Sequence, residues 1–180
     1  MKIEEQLKEC LKNSEKAEKS GIKHKGLLLR EPNDNDARVY IEKAKRELEL
    51  CDLYRERGFD YKIPEEWFYT LYYCALAILS KFGIESRSQK YTALFLEYAQ
   101  EKGLINYEKE FIKRITVFSK IGEESEVDKR EEARYSPSIK IAKVEERYEE
   151  TTQLCKEAIA QAEEIVFSTK EFKVPRELYE

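Results

Sequence analysis

The sequence predicts an all-α protein, an antiparallel bundle of about five to six helices. The chain has 180 residues, of which 39% are charged, and contains only six Gly and four Pro. So few chain-reversing residues disfavour a fold of many short strands, whereas the abundance of Lys, Glu, Ala and Leu favours long helices. Along most of the chain apolar residues recur every three or four positions, as on the buried face of an amphipathic helix.

Residues that start or end helices divide this pattern into elements. Pro64 fits the first turn of a helix, while Gly58 and Gly83 fit the position just after a helix end. Ser86 and Gln89 match a capping box, which predicts that another helix starts there. The predicted helices, in chain order, cover about 2–19, 36–57, 64–82, 87–102, 107–121 and 137–170.

Two segments interrupt the helical pattern. The connector 20–36 contains Gly, Pro and a cluster of Asn and Asp, and the segment 122–138 is acidic. We therefore expect an N-terminal helix and connector over 1–36, a helical bundle over 37–170 and a loosely held tail over 171–180.

Composition argues against several functional classes. The formal net charge is −4, so the chain as a whole lacks the basic character of a nucleic-acid-binding protein, although residues 81–120 carry a local basic excess. Four scattered Cys and a single His give no metal-ligand spacing, so we expect buried reduced thiols and no metal or cofactor. The longest nearly uncharged run, 67–80, is too short to cross a bilayer, and the charged N-terminus is not a signal peptide. These features predict a cytoplasmic protein without a membrane partner.

The stretch Arg87-Ser88-Gln89-Lys90-Tyr91 is one candidate phosphate-binding site. It lies at a predicted helix N-terminus, where free backbone N–H groups and the helix dipole favour an anion. Arg87, Lys90 and Tyr91 would supply two cations and a phenol. In the alternative interpretation, Arg87 and Lys90 are solvated and Gln89 only caps the helix.

A second candidate lies in KREEARY, residues 129–135. Arg130 and Arg134 are four positions apart, so they would share one face of a helix, and Tyr135 follows them directly. The arginines would grip a phosphate and the tyrosine would stack on a base. In the alternative interpretation, the arginines pair with neighbouring glutamates.

The only histidine, His24, lies between Lys23 and Lys25 in the connector. We expect it to be an exposed loop residue. The alternative is that His24 is a general base, because nucleophilic catalysis needs a proton acceptor and the chain has no other histidine.

The central segment WFYTLYYCALAILSKFGIESRSQKYTALFLEY, residues 67–98, resembles the helical hairpin of the HEPN superfamily. Members of that superfamily show an aromatic-Tyr-Tyr-Ala helix, a Lys-x-Gly turn, a polar Ser-His-Lys-like cap and an apolar helix with Phe. The downstream REEARYSPS is similar to an Arg-x-x-Ala-Asp-Tyr element of prokaryotic members, with Arg134 where the acid often lies. The likeness covers about residues 37–169.

This resemblance implies a HEPN-like bundle and a set of possible activities. Many HEPN proteins are metal-independent ribonucleases, often toxins paired with a small nucleotidyltransferase, and they use an Arg-x(4–6)-His motif at a dimer cleft. Here Gln89 stands where the cap would place its histidine, and no Arg is followed by His at that spacing. Because Gln cannot act as a general base, we expect a homodimeric module without catalysis that binds a nucleotide, single-stranded RNA or a partner protein.

Two alternatives remain. In the first, the chain is a divergent metal-independent ribonuclease in which His24 folds back to replace the missing base; this requires the imidazole to lie within reach of an arginine-lined cleft. In the second, the chain is a structural interaction module, in which a contiguous tyrosine-rich patch contacts a partner and the arginines pair with carboxylates.

Overall fold

The computed structural model describes residues 2–116, 130–131, 134–135, 137 and 142–180. Helices make up most of these residues, which confirms the predicted all-α bundle. The elements are α1 (Ile3–Lys19), β1 (Leu27–Leu29), α2 (Asp34–Arg57), α3 (Ile63–Lys81), β2 (Ile84–Ser86), α4 (Gln89–Glu101), α5 (Lys109–Ile115) and α6 (Ala142–Val166), with single 3₁₀ turns at Asp60–Lys62 and Arg176–Leu178.

Helix α3 is the centre of the bundle. It packs against α2 along most of its length and also contacts α4, α5 and α6. This follows from its sequence, which is apolar over most of its surface between Trp67 and Leu79 and gains free energy from burial there, whereas Tyr69, Tyr72 and Tyr73 stay half-buried. The indole Nε1 of Trp67 donates a hydrogen bond to Thr152 Oγ1 at 3.3 Å, which ties α3 to α6.

The N-terminal 36 residues are an integral part of the fold. Strand β1, which the sequence pattern did not reveal, pairs antiparallel with β2, with Leu28 opposite Glu85. Leu7 of α1 and Leu27 of β1 are fully buried in the same core as α3. A strand of three consecutive leucines shows no alternation of apolar and polar residues, so only its pairing with β2 defines it.

The C-terminal tail is also packed, so the prediction that it is loosely held is wrong. Phe172, Val174 and Leu178 are buried against the bundle. Tyr98 Oη donates a hydrogen bond to Glu177 at 2.6 Å, which joins the tail to α4.

Three predicted helix starts move by two residues, those of α2, α4 and α5. The N-cap of α4 is Ser88, whose Oγ accepts a hydrogen bond from the backbone N–H of Tyr91, and not Ser86, which lies in β2. Helix α2 starts after Asn33, whose side chain accepts from the backbone N–H of Asp36. The predicted continuation of α5 over 117–121, most of the loop 122–138 and the predicted start of the last helix lie outside the described residues.

Candidate functional site

A cavity of about 270 Å³ opens where the start of α2, the end of α3 and the two-stranded ribbon meet. We call it the ribbon pocket. Its wall combines an aromatic ring, a guanidinium, carboxylates and hydroxyls; the residues used below are Arg30, Glu31, Asp36, Tyr40, Leu76, Ser80, Glu85 and Ser86.

Local structure places these groups around one opening. Asp36 and Tyr40 are one turn apart on α2, and Leu76 and Ser80 are one turn apart on α3, so each pair projects from one helix face. The turn from α3 into β2 is closed by Gly83, which has φ = 74° and whose carbonyl accepts a hydrogen bond from Arg30 N at 2.7 Å.

Glu85 is the electrostatic centre of the pocket wall. Its Oε1 lies 3.1 Å from His24 Nε2 and accepts a hydrogen bond from Arg87 Nε at 2.8 Å, and its Oε2 accepts from Arg30 Nε at 2.9 Å. Burial alone would raise the pKa of Glu85, but the hydrogen bonds from Arg30 and His24 outweigh it and hold that pKa below its usual value. Glu85 is therefore an anion that connects the connector to the start of α4.

His24 is buried, with 2% of its surface exposed, so the prediction of an exposed loop residue is wrong. The imidazole is enclosed by the fold, and its Nδ1 atom has no hydrogen-bond partner among the described residues. His24 does lie close to arginines, since Arg30 and Arg87 share Glu85 with it. The enclosed ring nevertheless offers no nitrogen to a ligand at the surface.

Three tyrosines lead away from the pocket along α2 and α3. The rings of Tyr40 and Tyr73 are stacked with centroids 6.0 Å apart, and those of Tyr73 and Tyr69 are stacked at 5.8 Å. All three are half-buried. We call Tyr40, Tyr73 and Tyr69 the tyrosine row; because Tyr40 also lines the pocket, the two features are continuous.

Cations accompany the tyrosine row. Lys43 Nζ lies 5.7 Å from the ring centroid of Tyr40 and 5.3 Å from that of Tyr73. At the far end, the guanidinium carbon of Arg130 lies 5.9 Å from the ring centroid of Tyr69, the last tyrosine of the row. Such distances allow cation–π attraction.

The second predicted cluster is therefore only partly placed at this site. Arg130 lies at the end of the tyrosine row and also covers the ring of Phe68 at 4.3 Å. Arg134 forms an ion pair with Glu65 of α3, which is not one of the neighbouring glutamates of the alternative interpretation, and Tyr135 is 78% exposed.

The first predicted cluster is divided between two faces. Arg87 pairs with Glu85 at the pocket wall. Lys90 instead lies over the ring of Tyr91 at 5.3 Å, and the pKa of Tyr91 is raised by burial and by Cys10 and Glu9 of α1. These two side chains thus face α1. The amide of Gln89, predicted to cap α4, donates to the carbonyl of Ile115 at 3.2 Å and so joins α4 to α5.

A carboxyl pair lies beside the tyrosine row. Glu66 of α3 is only 8% exposed and shares a hydrogen bond with Glu47 of α2. Burial, this hydrogen bond and the nearby charges of Glu47 and Glu65 raise the pKa of Glu66 to about 8. Both carboxylates also raise the pKa of Tyr73, after the larger effect of its own burial.

Sequence reasoning missed most of this site. Arg30 was one basic residue of a connector, and Glu66 was not among the candidate site residues. The one available signal was the surplus of tyrosines, 12 in the chain, beyond what a core of this size needs. The contacts of Tyr40 with Tyr73 depend on how α2 packs on α3, which spacing along one helix does not show.

Comparison with known proteins does not assign the chain to a family. No protein-family model matches it, and no curated protein or solved structure shows significant similarity to it. Among the described residues, no group of three or more His, Cys, Asp and Glu could hold a metal ion. None of the described helices combines the length and apolar character that a bilayer crossing requires.

Proposed function

We propose that this chain is a HEPN-type helical module that binds single-stranded RNA without cleaving it. The observation that carries the proposal is the half-buried tyrosine row, which Lys43 and Arg130 flank and which opens into the ribbon pocket beside Arg30. Proteins that hold single strands combine such aromatic rings, on which bases stack, with cations that attract the phosphates. The HEPN resemblance, which adds the expectation of an RNA ligand, is part of the same proposal.

The surroundings of His24 support binding without catalysis. A ribonuclease of the proposed type needs a proton acceptor within about 3 Å of a ribose hydroxyl. The His24 side chain is fully enclosed, and its Nε2 is 3.1 Å from the carboxylate of Glu85. Gln89, at the place of the family histidine, carries an amide, which has no useful basicity.

The test is a metal-free incubation of the protein with labelled single-stranded RNAs, read on one gel for both shift and cleavage. Tyr73→Leu removes one stacking ring, worth about 1–3 kcal/mol per base, so Kd should rise at least about fivefold. Arg130→Ala should also weaken binding and lower its salt dependence. Tyr61→Leu and Lys113→Ala alter a tyrosine and a lysine outside the row and should leave Kd unchanged.

Three results would contradict the proposal. An RNA shift that Tyr73→Leu and Tyr61→Leu reduce equally would place binding elsewhere. Cleavage that is lost in His24→Ala would make the chain a ribonuclease. The absence of any shift would exclude RNA as the ligand.

A second candidate function is docking of a partner protein, including a second copy of this chain. It is favoured by one observation: Arg87 and Arg134, both predicted to bind phosphate, are paired with Glu85 and Glu65. Light scattering, together with the RNA gel, distinguishes the two functions when the wild type is dimeric. Docking is favoured if the wild type binds no RNA and Tyr69→Glu makes the chain monomeric.

A further inference from the structure

We propose that the ribbon pocket takes the 3′-terminal ribose of an RNA strand and reads its free 2′- and 3′-hydroxyls. This inference rests on the proposed RNA binding and adds a ligand class to it: strands that end in an unmodified cis-diol. Four observations support it: the continuity of the pocket with the tyrosine row, its size, the charges on its wall and its hydroxyl-binding groups.

The pocket is continuous with the tyrosine row and has room for about one nucleoside. Tyr40 belongs to both features, so bases stacked along the tyrosine row lead into the pocket. Strand β2 of the ribbon lines one side of the pocket through Ile84, Glu85 and Ser86. Its volume of about 270 Å³ is below the usual range for drug-sized ligands and suits one terminal nucleoside.

The wall of the pocket carries an excess of negative charge. Among the described residues that line it, only Arg30 carries a guanidinium, and Arg30 is already paired with Glu18 at 2.7 Å and with Glu85 at 2.9 Å. Arg87, just outside the lining, is paired with Glu85 as well. Glu31 and Asp36 have no ion-pair partner within the described residues. The pKa of Tyr40 is raised first by burial and then by Asp36 and Glu85, which places these carboxylates close to the ring. A phosphate in this pocket would meet repulsion.

A ribose cis-diol fits these groups. A carboxylate has two oxygens and accepts hydrogen bonds only, so it can accept both O–H groups of one diol. Asp36 is exposed at the pocket wall and lies one turn before Tyr40, on which the terminal base would stack. The hydroxyl of Ser80 supplies a further donor and acceptor, whereas that of Ser86 is already bonded to Thr92 and Ser88. An internal nucleotide would instead carry a phosphodiester at the 3′-oxygen.

The experiment measures fluorescence anisotropy with one 5′-labelled RNA in three forms: a free 3′-terminal diol, a 3′-phosphate and a 2′-deoxy terminal residue. The diol form should bind about tenfold more tightly than the 3′-phosphate form, and the 2′-deoxy form should lie between them. Asp36→Asn should abolish the preference without loss of thermal stability, because Asp36 is exposed. Glu42→Gln, an exposed carboxylate on α2 that lies outside the pocket, should retain it.

Equal Kd values for the three RNAs, with binding still dependent on Tyr73, would overturn this inference and leave the proposed function intact. Loss of all RNA binding would overturn both. Adenosine is the second source of a cis-diol and is tested by calorimetry. If adenosine binds in an Asp36-dependent way while the RNAs show no end preference, the pocket serves free nucleosides and the assignment to an RNA end is wrong.

Discussion

Glu66 shows how burial changes the chemistry of a single residue. Its position in the first turn of α3 predicts an ionised carboxylate that favours the helix dipole. In the folded chain it meets Glu47, and one proton shared between the two relieves their repulsion. In addition to burial and Glu47, the charge of Glu65 raises the pKa of Glu66, and the cation of Lys62 lowers it. Glu66 in turn raises the pKa of Cys51 and of Tyr54, after the larger effect of their own burial. Glu66 therefore keeps its proton at a pH at which an exposed glutamate has lost it.

The contribution of Glu66 to folding stability should therefore fall as the pH rises. The pKa of Glu66 is about 8 in the folded chain, against 4.5 ordinarily. As the pH rises, the unfolded chain releases this proton at a lower pH than the folded chain does. The stabilising contribution of Glu66 is therefore complete below about pH 4.5 and is lost as the pH rises through about 8. Denaturant unfolding at pH 6 and pH 9 should show that Glu66→Gln reduces this loss by about 2–3 kcal/mol. Glu49→Gln, on the exposed face of α2, should not reduce it.

Among the elements, the two-stranded ribbon does most to shape the site. It holds the connector against the start of α4, brings Arg30 and His24 to Glu85, and lines one side of the pocket with β2. The close approach of the strands depends on Gly83. A Cβ at this position would lie 2.4 Å from the carbonyl oxygen of Arg30 and 2.9 Å from Pro32 N.

Gly83→Ala should therefore be far more costly than a similar change at another left-handed glycine. The left-handed backbone costs about 1–2 kcal/mol for a non-glycine residue, and the backbone contacts add about 1–3 kcal/mol. Gly103 has φ = 67°, but a Cβ added there would have no atom of the described residues within 4 Å. Gly103→Ala should therefore show only the cost of the left-handed backbone. Free energies of unfolding from urea titration compare the two, and equal losses would contradict the role of the ribbon.

In the molecule as a whole, the N-terminal extension and the tail share one core with the bundle. Leu7 and Leu27 pack from one end of the chain and Phe172 and Leu178 from the other. The 3₁₀ turn at Arg176–Leu178 contacts α1, so both chain ends meet on the same side of the bundle. Stability should thus depend on residues that the sequence placed in a loose tail.

Leu178→Ala tests this arrangement. Leu178 is fully buried, so its truncation should lower the free energy of unfolding by about 2–5 kcal/mol. Tyr179→Ala, at a neighbouring side chain that is 48% exposed, should cost less than about 1 kcal/mol. A cost for Leu178→Ala no larger than that of Tyr179→Ala in thermal or chemical unfolding would show that the tail is detached in solution.

The accuracy of the sequence predictions depended on how far apart in the chain the interacting residues lie. The bounds of α1, α2, α3 and α4 were predicted to within about two residues, because capping and apolar spacing act between near neighbours in the chain. Arg130 was singled out as a candidate and lies at the site, whereas Lys90 and Tyr91 face α1. Glu85, Tyr40 and Arg30 were missed because each gains its role from a partner more than 30 residues away.

The sequence alone determined the fold class and the order of the helices, because these follow from composition and from local periodicity. Only the tertiary structure decided that His24 is enclosed, that β1 pairs with β2 and that the tail joins the core. It also decided which tyrosines form a row and which carboxylates share a proton. The physical reason is that helix formation depends on residues a few positions apart, whereas burial, strand pairing and charge coupling depend on segments that only the packed chain brings together.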